Sequence, residues 1–580
     1  MRRAAPLVAL VLALTACSGV PDGGGPVSVR TVPPVRAVQE EPDVRVQPPG
    51  PVPGAAPVQV VRAFLGAAVS SDGGHAVARS YLTREAHRGW PDAGPVRVFR
   101  LRDVVRTGVD TVRVLGTMVG LVGLDGTFTP MPGPVDLTIR LRRSGPSWQL
   151  ATPPPGVYLQ DVYFTQVYVP YRAYFVAAGT RRLVPDLRYL DRSLGNAEPS
   201  ELVRLLLGGP SSWLSPGVRT AFPPGTRLRG NVASDDDVLV VDLTAEAEFA
   251  SAGDRALLSA QLVWTLRQFP VSGVRIEVEG RRFEAPGAGR VQGVGLWSSL
   301  NPASPVAALP AYHLGRGAVR VLVPGERSGV PVGAPFGGRE ARSGVLSAAV
   351  TLEGAALALV KPGPRGRQRL LVGPSEGPLA VRYGASSLSR PTWGPRSHAV
   401  LVVADGRELV LVPQKGPVVT VSADALEPWL SAGERIRAVR FAPDGVRLAL
   451  VVGSGASSVL LAGILRGEGG PAPALVEVRS VAEGLTDLVD VGWSAEDALV
   501  TVGREPGGAE AEPCELSADG STRTDSTRSG LPAKELRHVV ATPPDRVLID
   551  VGGTTYQRFL NSWGPPGASV VAGGEPFYPG

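Results

Sequence analysis

The sequence predicts a multidomain protein with an α+β N-terminal domain, a small mixed α/β domain and an all-β C-terminal propeller of about five to seven blades. Helical stripes give way to alternating strands after residue 57, strands and helices alternate after residue 165, and a blade-like pattern recurs after residue 300. At 580 residues, 43% hydrophobic and 19% charged, the chain can bury several cores.

The chain opens with the pattern of an export signal. Two arginines precede an apolar stretch that ends in Leu-Thr-Ala-Cys at Cys17, and this stretch is shorter than the roughly 20 residues that a bilayer span needs. The last four residues resemble a bacterial lipobox. That resemblance implies cleavage between Ala16 and Cys17 and a diacylglycerol on the Cys17 thiol. Two or more acyl chains would make a stable membrane anchor. The alternative is an ordinary secretory signal with a chance cysteine.

A tether and an α+β domain are predicted next. Residues 1–16 form the signal, and residues 17–56 are rich in Pro and Gly without apolar periodicity, which is typical of a linker. From residue 57 a helical stripe begins with Pro57 in its first turn, and two shorter helices follow. The period then changes to two, with Asp125-Gly126 as a hairpin turn. Residues 57–152 should therefore form helices and a four-stranded antiparallel sheet, similar to the cone-shaped NTF2-like fold.

Residues 165–285 alternate between the two kinds of periodicity. Strands are expected at 172–176, 183–190, 226–232, 238–243 and 274–278, and helices at 199–207 and 254–269. Four motifs of this region resemble a GerM domain: Tyr174-Phe175-Val176, Leu207-Gly208-Gly209-Pro210, Phe222-Pro223-Pro224-Gly225-Thr226 and Val240-Val241-Asp242-Leu243. The resemblance implies a small α/β module of envelope and sporulation lipoproteins that binds rather than catalyses.

Residues 300–580 repeat an anchor residue, a polar turn and an alternating strand. The anchors are Val350, Trp393, Phe441, Trp493 and, more weakly, Thr542. Their spacing of roughly 43 to 52 residues is typical of propeller blades. The segment 312–323, with the C-terminal strand, is expected to supply another blade. An irregular β-sandwich is the alternative.

Residues that could carry chemistry are few and dispersed. The five histidines show no HxxH or HExxH spacing, so no catalytic residue, metal ligand or cofactor is predicted; they are His75, His87, His313, His398 and His538. Asp235-Asp236-Asp237 is predicted to be a solvated turn, because a Ca²⁺ loop needs alternating oxygen ligands. Asp242 is expected to make a structural hydrogen bond. With lipid on Cys17, Cys514 has no second cysteine for a disulfide.

The lipobox, the N-terminal domain, the GerM-like domain and the C-terminal β region together resemble the actinobacterial LpqB lipoprotein family. That resemblance covers essentially the whole chain. It implies a non-enzymatic partner of the extracellular domain of an MtrB-type sensor histidine kinase, whose signalling it modulates in cell-envelope and division control.

Two classes of function remain open. The first is an interaction module at the outer face of the cytoplasmic membrane, held there by the lipid on Cys17. The second is a lipoprotein that binds or remodels peptidoglycan or another glycan. Nucleic acid is not an expected partner, because the net charge of +6 is small and dispersed. Binding residues are not predicted for either class.

Overall fold

The computed structural model describes residues 48–580, apart from 304–309, 323–329, 332–335, 396–398, 431–432, 468–469, 471, 526–529, 533–534, 561 and 567–570. The described residues belong to one compact unit that starts at Val46. The predicted cleavage site at Ala16, the lipidation site Cys17, most of the tether and His398 lie outside the described residues.

Three helices cover one side of the N-terminal domain. They are α1 (Pro57–Ala67), α2 (Asp72–Ser80) and α3 (Arg84–Gly89). The apolar stripe of α1 is buried, with Phe64 and Leu65 almost completely enclosed. Thr83 caps α3, because its side chain accepts a hydrogen bond from the Ala86 amide as expected from the sequence.

The sheet of this domain has five strands rather than the expected four. In spatial order they run β4-β3-β2-β1-β5: β1 (Val96–Arg106), β2 (Thr111–Val122), β3 (Phe128–Ser144), β4 (Ser147–Leu150) and β5 (Tyr158–Gln160). β5 pairs parallel to β1. It was missed because three residues after a Pro- and Gly-rich segment are too short to show alternation.

Helices and two small sheets form the GerM-like domain. Its helices are α4 (Asp161–Val167), α5 (Glu198–Leu207) and α6 (Ala252–Leu266). One sheet has the order β7-β6-β8 and the other β12-β11-β10-β9: β6 (Tyr168–Ala177), β7 (Leu183–Asp191), β8 (Val218–Arg219), β9 (Ala233–Asp235), β10 (Val238–Leu243), β11 (Gly273–Val278) and β12 (Arg281–Arg282). The buried Gln261 of α6 donates to the Tyr174 carbonyl at 2.7 Å and so ties the helix to β6.

One strand of this domain was wrongly placed. Residues 226–232 were expected to form a strand but form none, and the antiparallel partner of β10 is β9. Leu228 makes an isolated bridge with Leu243, and Leu228 and Val232 pack against the core from a loop. Their apolar side chains give the segment the sequence pattern of a strand, although its backbone does not form one.

Six sheets of the propeller are present in the described part of the chain. In chain order their strands are β13 (Tyr312–Gly315), β14 (Ala318–Val321), β15 (Val330–Pro331); β16 (Ser347–Val350), β17 (Ala356–Pro362), β18 (Gln368–Pro374), β19 (Ala380–Ala385); β20 (Thr392–Trp393), β21 (Ala399–Ala404), β22 (Glu408–Pro413), β23 (Val419–Val421); β24 (Ile436–Phe441), β25 (Arg447–Val452), β26 (Val459–Arg466), β27 (Ala474–Ser480); β28 (Val491–Trp493), β29 (Ala498–Gly503), β30 (Glu512–Ser517), β31 (Arg523–Asp525); β32 (Leu536–Thr542), β33 (Arg546–Val551), β34 (Thr554–Phe559), β35 (Ser562–Gly564), β36 (Val571–Ala572); and β37 (Gly574–Phe577).

The C-terminal strand closes the ring. β37 pairs antiparallel with β13, with Tyr312 opposite Phe577, and so becomes the innermost strand of the first blade. This confirms the blade expected from residues 312–323 and the C-terminal strand. The sequence anchors fall where expected, because each ends the first strand of its blade. No helix in these described ranges is long and apolar enough to cross a membrane.

Candidate functional site

The innermost strands of the blades surround a cavity in the centre of the propeller. Its volume is about 90 Å³, and Trp393, Phe441, Trp493 and Tyr578 lie in its wall. Three of these side chains are anchors that the sequence singled out for their position in the blade repeat. The repeat therefore marked three residues of the cavity wall, but it indicated only a structural role for them.

A group of charged side chains lies on the same innermost strands or just before them, and we call it the channel cluster: Arg390, Arg440, Asp490, His538 and Glu575. Arg440 Nη2 lies 3.0 Å from Asp490 Oδ1, and His538 Nε2 lies 2.7 Å from Glu575 Oε1. These contacts join the third, fourth, fifth and sixth blades to the closing strand β37. The cluster therefore links four successive blades to the C-terminal strand.

Mutual pairing favours the charged forms of Asp490, His538 and Glu575. Burial alone would raise the pKa of Asp490, but Arg440 and Arg390 hold it well below its ordinary value. Burial opposes protonation of His538, yet hydrogen bonds to Asp490 and Glu575 raise the pKa of its imidazole. The pKa of Glu575 is lowered, because Arg390 and His538 outweigh its burial.

The sequence treated His538 as one of several dispersed histidines and did not single out the arginines or carboxylates of the cluster. These groups are far apart in the chain, and only closure of the ring brings them together. A signal was nevertheless present. Arg390 and Asp490 each lie three residues before a tryptophan anchor, in Arg390-x-x-Trp393 and Asp490-x-x-Trp493.

A second group of charged contacts fixes the GerM-like domain on the propeller, and we call it the ionic junction. Arg172 donates two hydrogen bonds to Asp497, at 2.8 and 3.0 Å. The buried Tyr174 donates its hydroxyl to Glu496 at 2.6 Å, and Arg267 donates to the other oxygen of Glu496 at 2.8 Å.

Apolar side chains complete the contact between these two domains. Val446 and Ile464 of the propeller belong to the buried core of the GerM-like domain. Gly217 lies against both side chains, where a Cβ would approach them within 2.4 and 2.7 Å. The two domains therefore share part of one core at this contact.

A different kind of contact joins the GerM-like domain to the N-terminal domain, and we call it the aromatic junction. Phe128, Phe164 and Tyr189 pack with ring centroids 5.0 to 6.4 Å apart. Beside them, the fully buried Arg188 donates to the Asp125 carbonyl at 2.9 Å and to Asp186 at 2.7 Å. The hydroxyl of Tyr189 also reaches Ser521 of the propeller, so this residue touches all three domains.

The other residues singled out by the sequence lie apart from these contacts. Asp242 accepts hydrogen bonds from Arg229 at 2.9 Å and from the Gly280 amide at 3.0 Å. Residues 235–237 form the β9–β10 turn, with Asp236 at a φ of 54°. Cys514 is buried in β30. Over the described ranges no group of three or more His, Cys, Asp or Glu residues could hold a metal ion.

The remaining histidines are distributed over two domains. His75 lies in a left-handed backbone conformation against Trp90, with ring centroids 5.8 Å apart. His87 is exposed at the end of α3, and His313 is buried in β13. The structure therefore brings only one described histidine, His538, into the channel cluster.

Comparisons with known proteins match all three parts of the chain. Residues 50–165 match the profile described as the LpqB lipoprotein N-terminal domain, and residues 321–579 match the LpqB lipoprotein beta-propeller domain. Residues 172–284 match the sporulation and spore germination profile. A protein named lipoprotein LpqB from Mycolicibacterium smegmatis is 30% identical over 534 residues, which is 86% of either chain.

The chain belongs to the LpqB lipoprotein family. LpqB from Rhodococcus opacus is 28% identical over 94% of this chain and 90% of that relative. LpqB from Streptomyces coelicolor is 29% identical over all of this chain and 98% of that relative. The similarity to LpqB lipoproteins thus extends through the N-terminal domain, the GerM-like domain and the propeller. The chain is therefore an envelope lipoprotein of this family.

Proposed function

We propose that this LpqB-family protein is an interaction module, anchored at the outer face of the cytoplasmic membrane by lipid on Cys17. Its partner is the extracellular domain of an MtrB-type sensor histidine kinase, whose output it modulates in envelope and division signalling. Family membership supports the lipid anchor, and the resemblance to the family is the basis for naming the kinase as partner. Under this proposal the protein is an accessory factor and not an enzyme.

The observation that carries the proposal is the direct joining of three domains by buried contacts. Asp497 and Glu496 bind side chains of the GerM-like domain, while Tyr189 contacts both the N-terminal domain and the propeller. A body held in this way presents a fixed surface, and pre-organised surfaces lose less entropy on binding. Binding that favours one kinase state by about 1–3 kcal/mol would change the signalling equilibrium roughly 5- to 150-fold.

A second candidate function is binding of peptidoglycan or another glycan. The aromatic side chains Trp393, Phe441, Trp493 and Tyr578 around the central cavity favour it. Aromatic faces pack well against apolar ligand surfaces while their polar edges donate hydrogen bonds. This candidate places the ligand in the propeller rather than on the outer surface of the three domains.

A binding titration separates the two candidates. Residues 18–580, without lipid, would be titrated with the kinase's extracellular domain and, separately, with peptidoglycan fragments. We expect saturable micromolar or tighter binding to the kinase, weakened by the pair Glu496→Gln and Asp497→Asn. Asp136→Asn, which alters an exposed ion pair with Arg113, is the matched control. Binding to the wall fragments alone would contradict the signalling proposal.

Anchoring has its own test. Cys17→Ala should release the protein from the membrane and abolish labelling with a radioactive fatty acid. Cys514→Ala is the control, because Cys514 is buried inside a blade and should leave labelling unchanged. Labelling that persists in Cys17→Ala would remove the lipid anchor from the proposal.

A further inference from the structure

Two residues that line the central cavity of the propeller carry buried hydrogen-bond donors without a partner. Arg390 Nη1 and Trp393 Nε1 are both buried and, among the residues that the structure describes, meet no hydrogen-bond acceptor. Both residues line the cavity, where the Arg390 side chain is 8% exposed and Trp393 is 1% exposed. Buried donors are almost always paired in folded proteins, so these two indicate a missing acceptor.

The neighbouring carboxylates are already engaged. Asp490 accepts from Arg440 Nη2 at 3.0 Å and from the Val491 amide at 2.9 Å. Glu575 Oε2 accepts from Arg390 Nε at 3.3 Å, while its other oxygen faces His538. The carboxylates of the channel cluster therefore already accept hydrogen bonds within the cluster, and Arg390 Nη1 and Trp393 Nε1 remain without an acceptor.

The second indole N–H of the cavity wall, that of Trp493, has a partner. Trp493 Nε1 donates to the Arg440 carbonyl at 3.4 Å, so this indole differs from that of Trp393. Phe441 and Tyr578 supply further aromatic surface in the cavity wall. The cavity thus combines unpaired donors with an aromatic wall, which is the usual composition of a small-molecule site.

We propose that this cavity binds a small monocarboxylate. The carboxylate accepts hydrogen bonds from Arg390 Nη1 and Trp393 Nε1, and its apolar substituent packs against Phe441 and Trp493. A guanidinium edge and an indole N–H both suit a planar carboxylate. This ligand site goes beyond the proposed function and does not depend on which macromolecule the protein binds.

Charge and volume narrow the class of ligand. Asp490 and Glu575 offset the charges of Arg390 and Arg440, and the buried Asp550 also acts on Arg390. Among the groups of the channel cluster, only His538, when protonated, adds a further positive charge, so the site suits one negative charge better than the two of a phosphate. The cavity of about 90 Å³ exceeds the roughly 10–15 Å³ that one water needs, so it holds a group of a few heavy atoms. A short aliphatic acid or the terminal residue of a peptide meets both conditions.

The two sources of such a carboxylate can be distinguished by titration calorimetry on the full-length protein in detergent. The probes are sodium propionate, for a free acid, and N-acetyl-D-alanyl-D-alanine, for a peptide carboxylate. The C-terminal amide of that dipeptide and inorganic phosphate are the ligand controls. We expect at least one acid to bind saturably at concentrations up to about 10 mM, while the amide and phosphate do not.

Variants test the assignment of the donors. Trp393→Phe keeps the ring in place but removes Nε1, and should weaken binding about tenfold. Trp90→Phe is the matched control: it changes a buried indole of the N-terminal domain whose N–H donates to the Pro154 carbonyl at 3.1 Å, and should alter affinity by less than about twofold. Arg390→Gln should abolish binding, with a thermal melt to check folding.

Each outcome decides the proposal. Binding of propionate, or of the dipeptide acid alone, supports it and identifies the source of the carboxylate. Absence of binding by both acids would overturn it, as would equal binding of the amide or phosphate. Unchanged affinity in Trp393→Phe would also overturn it, even if Arg390→Gln failed to fold.

Discussion

The two sides of the GerM-like domain are attached by different physical means. On the side of the N-terminal domain, Phe128, Phe164 and Tyr189 bury aromatic rings against one another. On the side of the propeller, Arg172 and Arg267 hold a pair of carboxylates at the turn between β28 and β29. One attachment depends mainly on the apolar area removed from water, and the other depends strongly on geometry and charge.

This difference indicates which kind of substitution should weaken each attachment. Burial of aromatic surface is non-directional and changes little with pH or salt. Arginine–carboxylate hydrogen bonds are directional, and removing one partner leaves the other charge without compensation. The aromatic junction should therefore be sensitive to lost volume, and the ionic junction to lost charge.

The largest expected effect is that of Phe164→Ala at the aromatic junction. Removing this buried ring should lower the free energy of unfolding by about 3–5 kcal/mol, because a cavity remains beside Phe128 and Tyr189. Phe249→Ala is the matched control, since Phe249 is 82% exposed, and should change stability by less than about 0.5 kcal/mol. Urea unfolding followed by tryptophan fluorescence measures both. Equal effects of the two substitutions would refute the packing role of Phe164.

Asp497→Asn at the ionic junction should have the next largest effect. The substitution weakens both hydrogen bonds from Arg172 and should cost about 1.5–3 kcal/mol, the usual range for hydrogen bonds to charged groups. Asp136→Asn breaks an arginine–carboxylate pair that lies in solvent, and should leave the unfolding midpoint unchanged. The same urea titration compares them. If Asp497→Asn behaved like Asp136→Asn, the ionic junction would not stabilise the protein.

A smaller effect is expected at the hydrogen bond that joins the aromatic junction to the propeller. Tyr189→Phe keeps the ring at the aromatic junction but removes its hydroxyl from Ser521, and should cost about 1 kcal/mol. Ser521→Ala removes the same hydrogen bond from the propeller side. In a double-mutant cycle the two losses should not add, because they share one interaction. Full additivity would show that Tyr189 does not link the domains through its hydroxyl.

The smallest expected effect concerns the channel cluster, which is ionic like the junction to the propeller but lies inside one domain. Because the folded-state pKa of His538 is raised, its imidazolium contributes stability that is fully present below the unfolded pKa of about 6.5. That contribution should be lost as the pH rises through the folded pKa. Thermal melts from about pH 5.5 to about pH 8.5 should show the decline.

A pair of histidine variants isolates this effect. His538→Gln should remove the decline, and His87→Gln, at an exposed position outside the channel cluster, should retain it. A decline of equal size in all three proteins would assign the pH dependence to other groups.

The propeller could be predicted from the sequence because its repeat is local. Each anchor ends an innermost strand, so Trp393 and Trp493 mark blades without knowledge of the ring. The channel cluster could not be predicted in the same way, since Arg390 and Glu575 meet only when β37 closes the first blade. The cavity donors were missed for the same reason.

Short and irregular segments limited the prediction elsewhere. β5 has three residues and pairs across the N-terminal sheet, which no local pattern records. Leu228 and Val232 resemble strand residues, but they pack from a loop against the GerM-like core. Both junctions were also invisible to the sequence, because they join side chains from domains far apart in the chain.

The central claim is that the two junctions unite the N-terminal domain, the GerM-like domain and the propeller into one body. Differential scanning calorimetry of the wild type and of the pair Glu496→Gln and Asp497→Asn tests it most directly. We predict one cooperative transition for the wild type and a separate propeller transition for the variant. Separate transitions already in the wild type, unchanged in the variant, would contradict the claim.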